Sequence, residues 1–298
     1  MNFKSIDYFL TVAQTRSITK AAAQLHITQQ TLSADIAALE RELGQPLFLR
    51  RVPLQLTYAG EVFRRYAQAF RQTHHAMVQE FCDISDNQTG ILHVGVTYAR
   101  GHALMPQLIA NFQTKYPNIS VHLVEDSHER LKKHLLEGTV DLAIAGFPNT
   151  PGEIELVPFY QEELVLLLTD SLLHTVYGSD SQKTLQQLQS GNFGSLAHCP
   201  FVLGMPDDIG INIGLQFLKH QRLQPPVKAQ SENLDTVLAL CARDVGACFS
   251  PANLIPGEFS SFHVIPLPNA AYQIYFGMKK GAYQWNMIDA FIQTAKGG

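Results

Sequence analysis

Cysteine is scarce in this chain. Cys82, Cys199, Cys241 and Cys248 are all that 298 residues hold, with no CxxC spacing and no His/Cys cluster. That excludes a disulfide framework and a zinc knuckle, and describes a reduced chain with incidental buried thiols. No apolar run approaches the roughly 20 residues of a membrane span. No apolar segment lies between Lys4 and Asp7, so neither a membrane nor a secretory signal is expected, and the cytoplasm is the expected compartment. HExxH, GxSxG, a P-loop and GxGxxG are all missing, and no carboxylate pair stands out. Enzyme chemistry is therefore not expected, and no cofactor or metal is implied. Charged residues make up only 16% against 46% hydrophobic. Such a chain builds sizeable cores, and its length predicts two or three domains.

The few charges are unevenly spread. Residues 1–80 carry nine Lys/Arg against six Asp/Glu, while the remainder carries thirteen against twenty. The basic end also holds a helix-turn-helix pattern. Ser17 precedes a short helix whose alanines allow close helix approach, and Ile27 plugs the turn. Thr28 is a suitable N-cap for the next helix. Leu32, Ile36, Leu39 and Leu43 recur there at helical spacing, and Gly44 closes it. The opposite face presents Gln29, Gln30, Thr31, Ser33 and Ala34. These small or amide-bearing groups suit base edges in a major groove, where Gln bonds adenine bidentately. QPLFLRRVPLQLTYAG (45–60) then reads as a two-stranded wing, with Arg50 and Arg51 near its tip to meet phosphates. Thr28 joins these arginines as an expected backbone contact.

This segment resembles the LysR-type transcriptional regulators. The matching residues are Phe9, Ala21, Ala22, Leu25, Ser33, Ile36, Leu39, Glu40, Leu43, Gly44, Leu47, Phe48, Arg50, Leu56, Thr57 and Gly60. Gln30 stands where the family usually has Pro, Ala34 where it often has Arg, and the wing is shorter and holds Pro53. The resemblance implies double-stranded DNA as a partner, and leaves RNA polymerase open as another. It also implies an expected division into a winged helix-turn-helix domain (1–58), a linker helix and hinge (59–89) and an effector domain (90–298).

From Tyr58 to about Cys82 the pattern is one long helix. Phe63, Phe70 and Met77 recur every seven residues, with Tyr66 between the first two and Phe81 one turn beyond the last, as in a seam that packs on a second copy. In the family this helix makes the antiparallel dimer contact, and relatives assemble further to homotetramers. SDNQTG (85–90) reads as a polar hinge.

Beyond it, strands and helices alternate, which predicts an α/β fold with parallel pairing. Strands are expected at 91–97, 119–125, 140–146, 163–169, 200–204, 227–232, 245–251, 263–267 and 273–279. Helices are expected at 103–117, 130–138, 210–221, 233–244 and 284–295. Residues 90–298 resemble the family's effector domain, of periplasmic-binding-protein type: subdomain I at 90–161 and 266–298, subdomain II at 162–265. Ligands of open α/β sheets sit outside the carboxyl ends of the strands. Those ends supply Thr97, Tyr98, Arg100, His102, Ser127 and Phe147 on one side, Leu203 and Phe249 on the other. A helix N-terminus with Arg100 and His102 beside it points to a small organic anion as effector, unless Arg100 pairs with Glu125 or Asp126.

Two other readings compete. A free-standing transport binding protein would have a signal peptide and no need of residues 1–60. Some LysR-type proteins sense peroxide through a cysteine pair, and Cys199 lies about where the reactive one would be. Nothing within the next 40 residues could resolve it. The expected function is thus an effector-switched, sequence-specific transcriptional regulator.

Overall fold

Three side chains decide where the N-terminal helices begin. In the computed structural model, Asn2 accepts from the Ser5 N–H at 2.9 Å, Ser17 from Lys20 at 3.3 Å and Thr28 from Thr31 at 3.1 Å. They cap α1 (Phe3–Thr15), α2 (Ile18–Gln24) and α3 (Gln29–Leu43). The structure describes all residues except 1, 50, 85–88, 149, 151, 207, 260 and 298. Arg50 and most of the expected hinge therefore lie outside the described residues. The chain divides into two compact units, residues 1–86 and 87–298.

In the first unit Phe9, Ala21, Leu32, Ile36 and Leu39 form a closed core. Gly44, at φ +69°, ends α3 in the left-handed conformation that glycine tolerates. The strands β1 (Phe48–Leu49) and β2 (Gln55–Leu56) pair antiparallel as the expected wing. The Glu40 carboxylate accepts from the Leu47 and Phe48 N–H groups at 2.7 and 3.2 Å, which ties α3 to the wing. α4 (Tyr58–Ile84) starts beneath it, and a Cβ at Gly60 would stand 2.1 Å from the Leu47 carbonyl oxygen. Only glycine fits there.

The heptad reading of α4 needs one correction. Phe63 is 8% exposed and meets Phe9 edge-on at 4.7 Å, so it belongs to the core of its own domain, with Ala67. Tyr66, Phe70, Met77 and Phe81 are between 46% and 64% exposed. The seven-residue spacing spans two different surfaces: Phe63 packs into its own domain, while Phe70 and Met77 stay exposed.

The second unit begins as a parallel α/β layer. β3 (Gly90–Val96) lies between β4 (Ile119–Glu125) and β5 (Leu142–Ala145), parallel to both. α5 (Tyr98–Lys115) and α6 (His128–Glu137) connect them. α5 starts five residues earlier than its sequence pattern suggests and carries Pro106 in its interior. The chain then runs through β6 (Ile154–Leu168), nine residues longer at its start than ELVLLLT predicts. Where the sequence suggested no element, α7 (Asp170–Tyr177) and α8 (Ser181–Gln189) form, burying Leu172, Leu173, Leu185 and Leu188. β7 (Phe201–Leu203), α9 (Ile209–His220), β8 (Val227–Gln230), α10 (Leu234–Cys241) and β9 (Cys248–Pro251) follow, with β7 and β8 parallel. β10 (His263–Lys279) returns and α11 (Asn286–Lys296) ends the chain.

The main sheet has the order β4-β3-β5-β10-β6-β9. Its two long strands, β6 and β10, pair antiparallel from Ile154↔Lys279 to Leu168↔His263. One end of this ladder belongs to the layer with β5, the other to the layer with β9. These are the two subdomains and their crossing strands. No helix among the described residues is long and apolar enough to cross a membrane.

Where the layers meet, Arg100 of α5 is 2% exposed. Its Nε donates to Glu162 Oε1 at 2.9 Å and its Nη2 to Oε2 at 2.5 Å, while Nη1 donates to Thr97 Oγ1 at 2.8 Å. Tyr160 donates to the same carboxylate at 2.8 Å. The expected alternatives for Arg100, Glu125 and Asp126, are not its partners; Glu162 on crossing strand β6 is. Burial alone would lower the guanidinium pKa, but Glu162 and Tyr272 hold it above its ordinary value. Removing one member of a buried pair leaves the other charge uncompensated, at about 3–5 kcal/mol. Arg100→Ala and Glu162→Gln should each lower the effector unit's melting temperature by roughly 6–20 °C. The double variant should lose much less than the sum; strictly additive losses in a double-mutant cycle would reduce the pair to ordinary packing.

Candidate functional site

Each unit carries one surface with an arrangement beyond what packing requires. On the first, α3 shows Gln29, Gln30, Thr31 and Ala34 exposed, with Ser33 half-buried beside them. Thr28 and Thr31 hydroxyls bond each other at 2.8 Å, so the cap and its neighbour are mutually held. The Thr19 hydroxyl of α2 donates to Gln29 Oε1 at 3.1 Å. This fixes the amide's orientation, leaving its two N–H donors and one oxygen lone pair outward, which is the pair of groups adenine's N7 and N6 require. Arg51 is exposed in the wing loop.

On the second unit a cleft of about 230 Å³ opens between the two subdomains. That is below the roughly 300–1,000 Å³ of sites for drug-sized ligands, and suits a small metabolite. Subdomain I lines it with Thr97, Tyr98, Arg100, Asp126, Ser127, His128 and Arg130; subdomain II with Gly204, Met205, Asp208, Ser231, Glu232 and Phe249, among others. The N-termini of α5, α6, α9 and α10 all reach it. They differ in one respect. Asp208 caps α9 by accepting from the Ile211 N–H at 3.1 Å, and Asn233 caps α10 by accepting from Asp235 and Thr236. The caps of α5 and α6 differ: among the described residues, Thr97 and Ser127 accept no bond from the first-turn N–H groups of their helices, and the Thr97 hydroxyl accepts from the Arg100 guanidinium instead. The first-turn N–H groups of those two helices therefore remain available, with the partial positive charge of the helix end behind them.

Of the residues expected here, Thr97, Tyr98, Arg100, Ser127 and Phe249 line the cleft. Three do not. His102 sits two residues past Arg100 on a helix, roughly 200° around its axis. Its side chain is 71% exposed and pairs with Asp235 at 3.4 Å. Phe147 lies against the backbone of β10, where a Cβ at Gly277 would be 2.5 Å from its ring, and joins a core with Leu131 and Leu135. Leu203 is buried in the subdomain II core, leaving Gly204 at the cleft surface. Arg100 itself is engaged by Glu162, so its charge is already answered.

Sequence reading placed His128 at a strand end without a role, and missed Asp208 and Glu232. His128 is 2% exposed; its Nδ1 donates to the Gly146 carbonyl at 2.9 Å, while Nε2 pairs with Asp208 Oδ2 at 3.6 Å, beyond hydrogen-bond length. Burial would raise the Asp208 carboxyl, but His128, the Arg100 charge and the Ile211 N–H hold it below the usual range. A helix-capping Asp before GINIG was a readable signal for Asp208. Nothing in the sequence distinguished His128 from its neighbours.

Three of the four cysteines are buried. Cys199 is 2% exposed, and burial pushes its thiol up to about 11, against the help of Tyr177. Cys241 and Cys248 are fully buried, and Cys248 is raised by its bond to Cys241 and by burial. A sensing cysteine needs an accessible thiolate. The redox alternative is not favoured.

Residues 3–61 match the bacterial regulatory helix-turn-helix proteins of the lysR family, and residues 85–298 match the LysR substrate binding domain. Among curated relatives, the uncharacterized regulator YybE of Bacillus subtilis is 29% identical, covering 84% of this chain and 82% of its own. The transcriptional activator IlvY of Salmonella typhimurium is 26% identical over the same shares. The fold matches full-length CbnR complexed with its target DNA, at TM-score 0.62 and 23% identity over 99% of both chains. It also matches full-length OxyR C199D of Pseudomonas aeruginosa, at TM-score 0.65 and 20% identity over 99% of this chain and 94% of that one. A helix-turn-helix with a wing, joined to a two-layered binding fold and matched by both family domains, leaves one assignment: the chain belongs to the LysR family of transcriptional regulators.

Proposed function

We propose that this regulator reads double-stranded DNA with Gln29, Gln30 and Ser33, and holds the backbone with Thr28, Thr31 and the wing arginines Arg50 and Arg51. A small carboxylate-bearing metabolite in the cleft switches its output. The observation that carries the effector reading is the contrast between helix ends. Two N-termini of subdomain I keep their first-turn N–H groups unanswered at one cleft, and such groups favour an anion. The anion receptor is thus this pair of helix ends rather than Arg100. Thr97, Tyr98, Ser127 and Phe249 shape the site, with Glu162 keeping the Arg100 charge from competing. The protein works by binding, not catalysis, and in the cytoplasm.

It acts as a dimer through the exposed α4 residues Tyr66, Phe70, Met77 and Phe81, and two dimers assemble to a tetramer that RNA polymerase can contact. Dimerisation places two recognition helices on an interrupted palindrome. The CbnR complex with DNA supports the DNA half of the reading, and IlvY supports action as an activator. Ligand binding changes output only by favouring one subdomain arrangement over another, and coupling of about 1–3 kcal/mol suffices for 5- to 150-fold shifts.

Gln29→Ala should cost about 1–3 kcal/mol at the selected operator and relax base preference at one position. Arg51→Ala should weaken every sequence alike and flatten the salt slope by about one unit. Gel shifts across a salt series separate the two, and unchanged preference in Gln29→Ala would remove that residue from base reading. Phe70→Glu should yield monomers in sedimentation and lose tight operator binding; a variant that sediments as wild type excludes α4 as the main contact. Ser127→Trp, which fills the cleft at the α6 cap, should keep DNA binding and abolish the effector response of a reporter. A full response in that variant would place the effector elsewhere.

A further inference from the structure

Two histidine–aspartate pairs span the two subdomains, and in both the imidazole comes from subdomain I. His128, the first residue of α6, meets Asp208, the cap of α9, with Nε2 and Oδ2 3.6 Å apart. His102 of α5 meets Asp235 of α10, with Nδ1 and Oδ2 3.4 Å apart. The second pair is exposed on both sides, and such pairs contribute little and are screened by salt. The first holds a buried imidazole against a half-buried carboxylate inside the cleft. Charge on that imidazole therefore bears directly on how α6 and α9 sit.

The Gly146 carbonyl decides how this pair responds to a proton. A carbonyl cannot donate, so it accepts from His128 Nδ1, at 2.9 Å. A neutral imidazole has one N–H, and here that N–H is already used. Only the imidazolium has a second one to turn toward Asp208. The contact is thus attractive with the proton and repulsive without it, whereas a ring free to change tautomer could bond in both forms. The other charges near it are matched. Arg100 of α5 is locked to Glu162 of β6, Lys132 on α6 bonds Glu129, and Asp126 ahead of α6 is engaged by Arg130 and His134. Burial and Glu162 push the Tyr272 hydroxyl of β10 up, so it stays neutral, and Glu232 lines the cleft from the start of α10. Burial would raise the Asp208 carboxyl, but His128, Arg100 and the Ile211 N–H keep it ionised. At this contact the imidazole is the group that changes charge in the neutral range.

We propose that His128 and Asp208 form a proton-operated latch: protonation of the ring holds α6 and α9 together and closes the subdomains, and loss of the proton releases them. The subdomains can respond because the strands joining them, β6 and β10, slip in register near the crossing. The sign follows from linkage. The closed form binds the proton more tightly, so closure is favoured as pH falls and lost as pH rises through the range of about 5–8 where histidines titrate. His102 and Asp235 add a weaker, salt-screened contact of the same sign at the rim. The latch works before any effector arrives and requires nothing of the effector's chemistry. It sets the population of open and closed clefts that an effector meets, so one effector concentration gives different outputs at different pH.

The test is hydrogen exchange on the full-length, effector-free protein, read by mass spectrometry across about pH 5–8. Exchange at the imidazole C2 position follows each histidine separately. Amide exchange, corrected for its intrinsic pH dependence, follows opening in segments 127–131 and 208–213. Protection of both segments should fall by about five-fold or more as pH rises, in step with the titration of the His128 ring. Asp208→Asn keeps a good helix cap and removes the charge, and should cut this pH effect to under about two-fold. His128→Gln, neutral at every pH, should hold both segments at the high-pH level, while His102→Gln should leave most of the effect in place. Constant protection in the unaltered protein, or opening out of step with His128, overturns the latch without needing any variant. A pH effect that survives in Asp208→Asn also overturns it. If His102→Gln abolishes that surviving effect, the switch lies at the rim pair instead of the buried one.

Discussion

The effector unit depends on one shared ladder. β6 and β10 are bonded to each other along nearly their whole length, yet their two ends belong to different layers. Two strands passing between layers permit relative bending while forbidding separation. The register slips twice, between Pro266 and Ala271 and between Ile274 and Tyr275, so the ladder is interrupted near the crossing. Bulges of this kind bend a strand locally. The Arg100–Glu162 pair is placed at the crossing, joining the first helix of subdomain I to the strand that leaves it. A buried pair of this kind is weak evidence for stability but can specify a single arrangement. Here it fixes α5, and with it the helix end that opens on the cleft.

Part of this was legible in the chain itself. Ser17, Thr28 and Gly44 announce the helix boundaries because capping is a local matter between residues three or four apart. The alternation of apolar strands and helices in 91–146 gives the parallel layer for the same reason. The family resemblance extends this to the whole length, and both family domains match. Long-range pairing was not legible. Glu162 lies 62 residues from Arg100, and nothing near Arg100 in sequence distinguishes it from Glu125 or Asp126, which are closer along the chain. α5 begins five residues before its expected start, which moves His102 from a loop to the far side of a helix.

Phe63 and Phe147 illustrate a second limit. Periodicity says which residues share a face but not what the face meets. Phe63 keeps step with Phe70 and Met77, but Phe9 reaches it first. Phe147 follows a strand end, as a pocket residue would, yet the missing side chain at Gly277 gives it room inside. His128 is the converse. Its importance comes from a carbonyl 18 residues away and a carboxylate 80 residues away, and either could have been absent without changing any local pattern.

One consequence follows from the way α4 is rooted. Its first turns are part of the DNA-reading core, through Phe63 and Ala67, and its start is pinned under the wing at Gly60. Twenty-seven residues of continuous helix make a rod of about 40 Å. A rod fixed at one end in the reading head has no joint with which to absorb rotation. Tilting its outer end by about five degrees would carry the two ends past each other by roughly 3.5 Å, close to the rise of one DNA base pair. Whatever grips the outer face of α4 thereby passes its rotation to the DNA-binding domain undiminished.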